Sequence, residues 1–425
     1  MKFTLLSFIQ ALCDFVYLYP LLMSFVWMIG AVIFYLRLER GRKIAPEMDE
    51  YPLFSVLVPC HDEKDQIGDT VDYLLELDYP NYEIILIDDG STDETPAKIH
   101  EFCKKHERVR GVYLKQNGGK ASALNAGCLV SRGDLILSID ADALLDKNCL
   151  KWMAWHFMKF PRVGAITGNP RVINRTTLLG KIQTGEYSTI IGFIKRAQRI
   201  LGKVLTVSGV VAAFRKQALA SVGFWDNDMV TEDIDITWKL EKKFWDVRYE
   251  PRAICWIFVP ETLRGLWKQR VRWAQGGVEV LKKHNDIWQD WRQRRLWPVY
   301  VEYACSILWV LAFWTLIIMW AEQTFLGVHM PVRLLPPIPP LWTGSILALV
   351  CLMQFALSLL IDSQYDKRIF RYLFWVIWYP FIYWMINAFA VVIAVPKALL
   401  KKKGTTAVWT SPDRGLEKIS AAGRK

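Results

Sequence analysis

The sequence is poor in histidine and has no ordered cysteine pattern. Its six histidines stand apart, and none is spaced to serve a nucleophile. The eight cysteines (Cys13, Cys60, Cys103, Cys128, Cys149, Cys255, Cys305 and Cys351) form no C-x-x-C pair and no Cys/His ligand spacing. Neither a structural zinc site nor a disulfide framework is therefore implied. A Walker loop is also missing. Gly118-Gly119-Lys120-Ala121-Ser122 lacks the G-x-x-x-x-G-K-[ST] spacing, which excludes an ATPase of that type. There is no internal repeat and no low-complexity stretch. Disorder is excluded as well, because 52% of the 425 residues are hydrophobic and only 22% are charged.

What the chain has in abundance is aromatic and apolar surface, with 20 Trp, 21 Phe and 16 Tyr. Long apolar runs at both ends flank a polar middle, and the length suits two or three domains. The net charge of +11 concentrates beside the apolar runs. That placement points to juxtamembrane anchoring rather than to a nucleic-acid surface. Phe15 to Leu36 is 22 residues without a charge, followed by Arg37, Arg40, Arg42 and Lys43. Such a run is long enough to span and too long for a signal peptide, and the basic flank predicts that the next domain is cytosolic. Residues 1–12 are expected to lie in the interface.

From about 46 to 260 short apolar runs such as Phe54–Val58, Ile84–Ile87 and Leu135–Ile139 alternate with helical stretches. This predicts an α/β domain with a mostly parallel, Rossmann-like sheet covered on both faces. Residues 261–298 mix Trp267, Trp273, Trp288, Trp291 and Trp297 with Lys and Arg, the composition of amphipathic interface helices. Within 299–400 three apolar segments follow, at 299–321, 342–361 and 372–395. Three spans would leave the tail, 401–425, outside, whereas Lys397 and Lys401 to Lys403 argue for a cytosolic tail. Either one segment does not span, or the region broken by Pro380 and Pro396 is partly re-entrant.

The chemistry lies at strand ends. Pro59-Cys60-His61-Asp62-Glu63 and Asp88-Asp89-Gly90 close two successive strands, and such ends converge on the crevice where parallel sheets bind ligands. Asp140-Ala141-Asp142 follows another strand. Two hard carboxylates there suit Mg²⁺ or Mn²⁺, which would bridge to a nucleotide diphosphate and neutralise it on departure. Lys120, after two glycines at a helix start, can contact phosphates or a base, although a solvated lysine is the plainer reading. Thr231-Glu232-Asp233 opens a helix, and its acids can be caps. Asp233 is also the candidate general base, provided an acceptor hydroxyl comes within hydrogen-bond reach. Gln269, Arg272 and Trp273 fall at i, i+3 and i+4 on one helix face. They can serve either a diphosphate and a sugar or the membrane surface.

Taken in order, Asp89, the D-x-D of Asp140 and Asp142, the T-E-D of Thr231–Asp233 and the Q-x-x-R-W of Gln269–Trp273 resemble the processive family 2 glycosyltransferases. These are the membrane synthases of cellulose, chitin, hyaluronan and poly-N-acetylglucosamine. Gly168-Asn169-Pro170-Arg171, the segment Gly180–Tyr187, Val207-Ser208-Gly209 and Trp409–Gly415 are similar to the branch that makes β-1,6-linked poly-N-acetylglucosamine for bacterial biofilm. That branch carries a further N-terminal apolar segment, where this chain has only residues 1–12. Its acidic pair stands here as Asp62-Glu63 behind Cys60-His61.

The resemblance implies a GT-A-type cytosolic domain flanked by transmembrane and interfacial helices in a bacterial inner membrane. It implies UDP-GlcNAc as donor, an inverting transfer, Mg²⁺ or Mn²⁺ as cofactor, and a growing polysaccharide that leaves through the bilayer. Asp89, helped by Pro59 and Glu63, would meet uracil or ribose. Lys120 would lie on the donor side, and Asp140 and Asp142 would hold diphosphate and metal. Asp233 would be the base. Gln269, Arg272 and Trp273, with Glu232, would serve donor diphosphate and acceptor sugar, and Val207, Ser208 and Gly209 would lie near the acceptor. A small membrane partner subunit and regulation by cyclic di-GMP are implied; no nucleic acid polymer is. The readings left open are a hyaluronan, chitin or cellulose synthase, a polyprenyl-phosphate glycosyltransferase, and a non-catalytic membrane scaffold or transporter.

Overall fold

A computed structural model describes residues 4–41, 43–335, 342–402 and 404–405. Arg42, Lys403, the 409–415 segment and most of the tail lie outside these residues.

The strands are β1 (Phe54–Cys60), β2 (Tyr82–Asp89), β3 (Val109–Leu114), β4 (Leu135–Ile139), β5 (Leu144–Leu145), β6 (Val163–Val172), β7 (Val211–Arg215) and β8 (Asp246–Ile257). The first helices are α1 (Leu5–Phe34), α2 (Ile67–Leu75), α3 (Thr95–Lys105), α4 (Lys120–Val130), α5 (Cys149–Lys159), α6 (Leu178–Glu186) and α7 (Ile194–Leu201). There follow α8 (Lys216–Ser221), α9 (Glu232–Lys242), α10 (Leu263–Lys283), α11 (Trp297–Phe325), α12 (Trp342–Asp362), α13 (Leu373–Val376) and α14 (Trp384–Leu400).

The strands form one sheet in the order β3-β2-β1-β4-β7-β6-β8-β5. Pairing is parallel from β3 through β4 and between β6 and β8, while β7 and β5 run against their neighbours. Successive side chains alternate faces, which explains why these strands are apolar throughout. Val56, Val58, Ile84 and Leu86 join Ile67 and Val71 of α2 and Met153 of α5 on one face. Leu57, Ile85 and Ile87 join Leu124 of α4 and Ile236 and Leu240 of α9 on the other. Because β1, β2 and β4 are parallel, their carboxyl ends share one edge, and the antiparallel β7 begins there, with Val211 opposite Ile139.

Among the described residues three helical segments are long and apolar enough to cross a membrane: Leu5–Glu39, Trp297–Phe325 and Gly344–Asp362. The first differs from the expected layout. No break separates residues 5–12 from the apolar run, and one helix of 30 residues, about 45 Å long, extends from Leu5 to Phe34. Its first half packs antiparallel to α11, where Trp309 Nε1 donates to the carbonyl of Val16 at 2.9 Å and Tyr19 Oη to that of Glu302 at 2.9 Å. Its second half lies on the α/β domain, so closely that a Cβ on Gly30 would stand 2.8 Å from that of Ala197.

The segment expected at 372–395 is not a continuous span. It is a 3₁₀ turn, the short α13, a π-helical turn at Tyr379–Tyr383 around Pro380, and then α14. With 17 residues α14 reaches about 26 Å, and it continues directly from that π-helical turn. It lies along α10, and Lys401 ends against Glu279 Oε2 at 3.0 Å, on the α/β domain's side.

A buried ionic cluster binds the membrane helices to the domain. Arg196 on α7 donates to both carboxylate oxygens of Glu39 at 2.7 and 2.8 Å, and to Asp362 at the end of α12 at 2.8 Å. Arg171 on β6 pairs with the same Asp362 oxygen at 2.8 Å. Tyr365 Oη and Gln364 Nε2 each donate to Glu39 at 2.7 Å. Arg196, Glu39 and Asp362 are buried to within 1%. Removing one partner from such a cluster strands a buried charge. Arg196→Met is therefore expected to cost about 3–5 kcal/mol, read as a lowered melting temperature of the detergent-solubilised protein. Neutralising Glu39 in the same chain should restore part of the loss, and a melting temperature untouched by Arg196→Met would contradict this account.

Candidate active site

The site forms at the shared strand edge. The turn after β2 needs Gly90 at φ +68°, and a Cβ there would stand 2.8 Å from the backbone nitrogen of Asn117. That tight passage brings the Gly118-Gly119 loop onto Asp89, whose two carboxylate oxygens each accept a backbone N–H, from Gly118 and Gly119, at 2.9 Å. Burial raises the Asp89 carboxyl above its usual range, and the two amides work against that. Asp89 thus holds the loop that starts α4, in addition to any ligand it meets. His61 closes the same corner, with Nδ1 3.1 Å from the Asp89 carbonyl oxygen and Nε2 3.0 Å from Asn117 Nδ2. Pro59 is buried in β1 opposite Ile87. Glu63 is buried at the start of α2, its N–H donating to Thr95 Oγ1 at 2.9 Å.

Strand β4 stops at Ile139, so Asp140 and Asp142 sit on the turn into β5 rather than alternating along a strand. Lys120 is the hub. Its ammonium hydrogen-bonds Asp140 Oδ1, donates to the Gly209 carbonyl at 2.9 Å and lies 3.5 Å from Glu232 Oε1. Burial disfavours the charge on Lys120, but the carboxylates of Asp140, Glu232 and Asp233 outweigh it and raise the amine's pKa. It is no solvated surface lysine. Among the described residues no group of three or more His, Cys, Asp or Glu is arranged to hold a metal. Asp140 and Asp142 form a pair of hard oxygen donors. That set fits a divalent cation that takes its other ligands from a diphosphate and water.

Asp233 lies in the first turn of α9. Its Oδ2 accepts from the Gly209 N–H at 3.1 Å and its Oδ1 from the Ile234 N–H at 2.9 Å. Burial, then the neighbouring Glu232, push its carboxyl up to about 6, against the opposing charges of Lys120 and Lys195. Thr231 sets the helix start by seating on α10, where a Cβ on Gly276 would stand 2.1 Å from Thr231 Oγ1. Ser208 and Gly209 reach this corner, but Val207 does not. Its side chain is packed in the core beneath the sheet, since the turn into β7 directs it inward.

Helix α10 closes another side of the site. Trp273 meets Tyr187 edge-on at 6.4 Å between centroids, and Arg272, though exposed, acts on the same buried phenol, as does Asp140. Gln269 is half-buried, with Oε1 unpaired. The spacing left Arg270 unremarked, yet it is the buried arginine of this helix. It donates to Glu186 at 2.7 Å and covers the Trp273 ring at 4.5 Å. Glu186 also accepts from Tyr383 at 3.1 Å and Asn387 at 3.3 Å, so the last helices meet the site through it. The signal for Glu186 is a lone acid in the otherwise uncharged stretch from 182 to 194.

A sheet of this order with two acidic strand ends, a D-x-D turn and a buried aspartate at one edge is the arrangement of a GT-A-type glycosyltransferase. Residues 55–223 match glycosyl transferase family 2, and the chain belongs to that family. It is 41% identical over 415 residues to the poly-β-1,6-N-acetyl-D-glucosamine synthase of Staphylococcus epidermidis, covering 95% of this chain and 98% of that protein. The synthase of the same name from Staphylococcus aureus is 41% identical over 409 residues, with the same coverage. Among solved structures, a mannosyltransferase from Pyrobaculum calidifontis, in complex with GDP-Man and Mn²⁺, shares the fold. Its TM-score is 0.66 at 22% identity, over 94% of this chain and all of that one.

The seat of Thr231 on Gly276 yields a prediction. Gly276→Ala must displace the first turn of α9, and a displacement of about 1 Å at a reacting group costs about 100-fold. Nucleotide-sugar turnover in membranes should fall to that extent; unchanged turnover would show that α9 is not held by this contact.

Proposed function

We propose that this chain is a processive, inverting glycosyltransferase that polymerises N-acetylglucosamine from UDP-GlcNAc into a β-1,6-linked exopolysaccharide and passes it across the inner membrane for biofilm matrix. The observation that carries this reading is the near end-to-end identity with the staphylococcal synthases. The site's chemistry supports it. Inversion at an α-linked donor needs one base and a stabilised leaving group, with no enzyme nucleophile and no closely spaced carboxylate pair. Asp89, with Pro59 and Glu63, is assigned to the uridine. Lys120, Gln269 and Arg272 are assigned to the diphosphate. Trp273, beside Tyr187, offers an aromatic face to the terminal acceptor sugar.

Asp233 is assigned as the base. An acceptor hydroxyl gives its proton to the Asp233 carboxylate as its oxygen bonds to the donor's anomeric carbon. The bond from that carbon to the UDP oxygen breaks on the opposite side. A carboxyl near pKa 6 is ionised at neutral pH and more basic than an ordinary aspartate, which suits the task. Asp140 and Asp142 would hold Mg²⁺ or Mn²⁺, which when bound supplies charge neutralisation for the departing diphosphate.

The membrane arrangement belongs to the same proposal. The segments 5–39, 297–325 and 344–362 are assigned as three spans. The glycosyltransferase domain, about 46–260, is placed in the cytosol on the strength of Arg37, Arg40 and Lys43. A small membrane partner and a response to cyclic di-GMP are carried over from the family resemblance alone, and co-purification tests the former.

Membranes containing the chain should convert UDP-GlcNAc to a polymer cut by a β-1,6-specific hexosaminidase, stop on chelation and resume with Mg²⁺ or Mn²⁺. A product cut by chitinase instead would move the reading to a chitin-type synthase. Asp233→Asn should lower the rate by about 10²–10⁴-fold. In the unaltered chain kcat/KM should fall as pH drops through about 6, because the base works only when deprotonated and its carboxyl is held at about 6. Polymer made at the normal rate by Asp233→Asn would remove Asp233 from this role.

A further inference from the structure

Helix α7 carries two adjacent cations, both buried, and they serve different places. Arg196 turns to the ionic cluster at the membrane junction, while Lys195 turns to the sheet. Lys195 is 5% exposed, and among the described residues no carboxylate lies within ion-pair distance of it. Its hydrogen bond is to Thr167 Oγ1 on β6 at 3.3 Å. Burying an ammonium without a paired anion is costly and calls for a reason. The mechanism proposed above makes no use of it.

The path onward from Thr167 leads to the reacting corner. The same Thr167 oxygen accepts the Ser208 N–H at 2.8 Å. The next residue, Gly209, donates its N–H to Asp233 Oδ2 at 3.1 Å. On the other side Val207 donates to Thr237 Oγ1 at 2.9 Å, and Thr237 in turn donates to the Asp233 carbonyl at 2.6 Å. The segment 207–209 is therefore clamped between Thr167 and α9, and Lys195 backs the clamp. Burial lowers the Lys195 amine to about 7, against the charge of Asp233, which is the charged group acting on it. Asp233 in turn is faced by Glu232 on its own helix, Lys120 on α4, Lys195 on α7 and the Tyr303 phenol on α11.

We propose that Lys195 is a positioning residue for the transfer. Its buried amine braces the Thr167–Ser208–Gly209 path to the Asp233 carboxylate and supplies positive charge that favours the ionised base. This rests on Asp233 being that base. Lys195 touches no substrate in this account and works through Asp233 alone. An opposite charge near a carboxylate stabilises its ionised form, so removing it weakens the base's ionisation at a given pH.

The test uses the full-length chain in membranes with UDP-GlcNAc as donor. Lys195→Met keeps the length and loses the charge. It should leave KM for UDP-GlcNAc within about twofold, lower kcat by about tenfold or more, and move the acid limb of the pH profile upward by about one pH unit. Thr167→Val cuts the brace but keeps the charge, so it should lower kcat and leave the acid limb where it was. An acid limb unmoved in Lys195→Met would overturn the proposal, whatever happened to kcat. If Lys195→Met fails to accumulate as folded protein, Lys195→Gln replaces it with the same expected shift and the same overturning result. Failure of the base assignment is distinct: Asp233→Asn would then keep its activity, whereas an inactive Asp233→Asn with an unmoved Lys195→Met limb sinks the Lys195 role alone.

Discussion

The Glu39–Arg196–Asp362–Arg171 cluster is the constraint on which the rest of the molecule depends. Four charges from the π-helical turn after α1, the end of α12, α7 and β6 meet out of water. Each would cost several kcal/mol to bury alone, and the cluster is tolerable only when all four are in place. It therefore specifies geometry more than it adds stability. The carboxylates come from the membrane helices and the guanidinium groups from the α/β domain, so neither half can satisfy its own charges. A single docking results, with α12 ending where Arg171 and Arg196 can reach it.

The opposite problem is solved at the strand edge. Asp89, Asp140, Asp142, Glu232 and Asp233 crowd the carboxyl ends of parallel strands, where like charges repel. The structure disperses them in two ways. Asp89 is spent on the backbone amides of Gly118 and Gly119, which are dipoles rather than charges. Asp140 and Glu232 share Lys120, whose ammonium stands between the D-x-D turn and α9. Asp233, like Asp89, is held by backbone amides rather than by an ion pair, and burial raises both carboxyls.

Much of this was legible in the sequence, for identifiable reasons. Strands β1, β2 and β4 announce themselves as apolar runs because both their faces are buried, and their acidic ends follow from the parallel order. Lys120, Asp140 and Asp233 lie together at the strand edge. Val207 meets its neighbours through its backbone N–H while its side chain packs the core; spacing does not distinguish the two. Arg270 and Lys195 were not legible. Each looks like an ordinary charge of a helix surface until the tertiary fold buries it. For 372–395 hydropathy shows how apolar the stretch is, while Pro380 and Pro396 left its course open; the structure divides it into α13, a π-helical turn and α14.

Three π-helical turns, at Tyr35–Glu39, Tyr187–Phe193 and Tyr379–Tyr383, explain how polar groups are aimed at the membrane junction. A π turn inserts one residue into a helical ladder and rotates everything after it relative to a regular helix. In the first, Glu39 lies on the inner side, bonded to Arg196, while Leu36 and Leu38 face outward. The second starts at Tyr187, beside Trp273, and carries Ser188 to a hydrogen bond with Asp362, so one turn touches both the site and the ionic cluster. The third delivers Tyr379 and Tyr383 to Glu186, which ends the helix before that second turn. The irregular turns thus lie where the catalytic edge and the membrane helices must be addressed by the same short segment. Charge at one end and aromatic contact at the other leave little freedom for the two halves to settle independently.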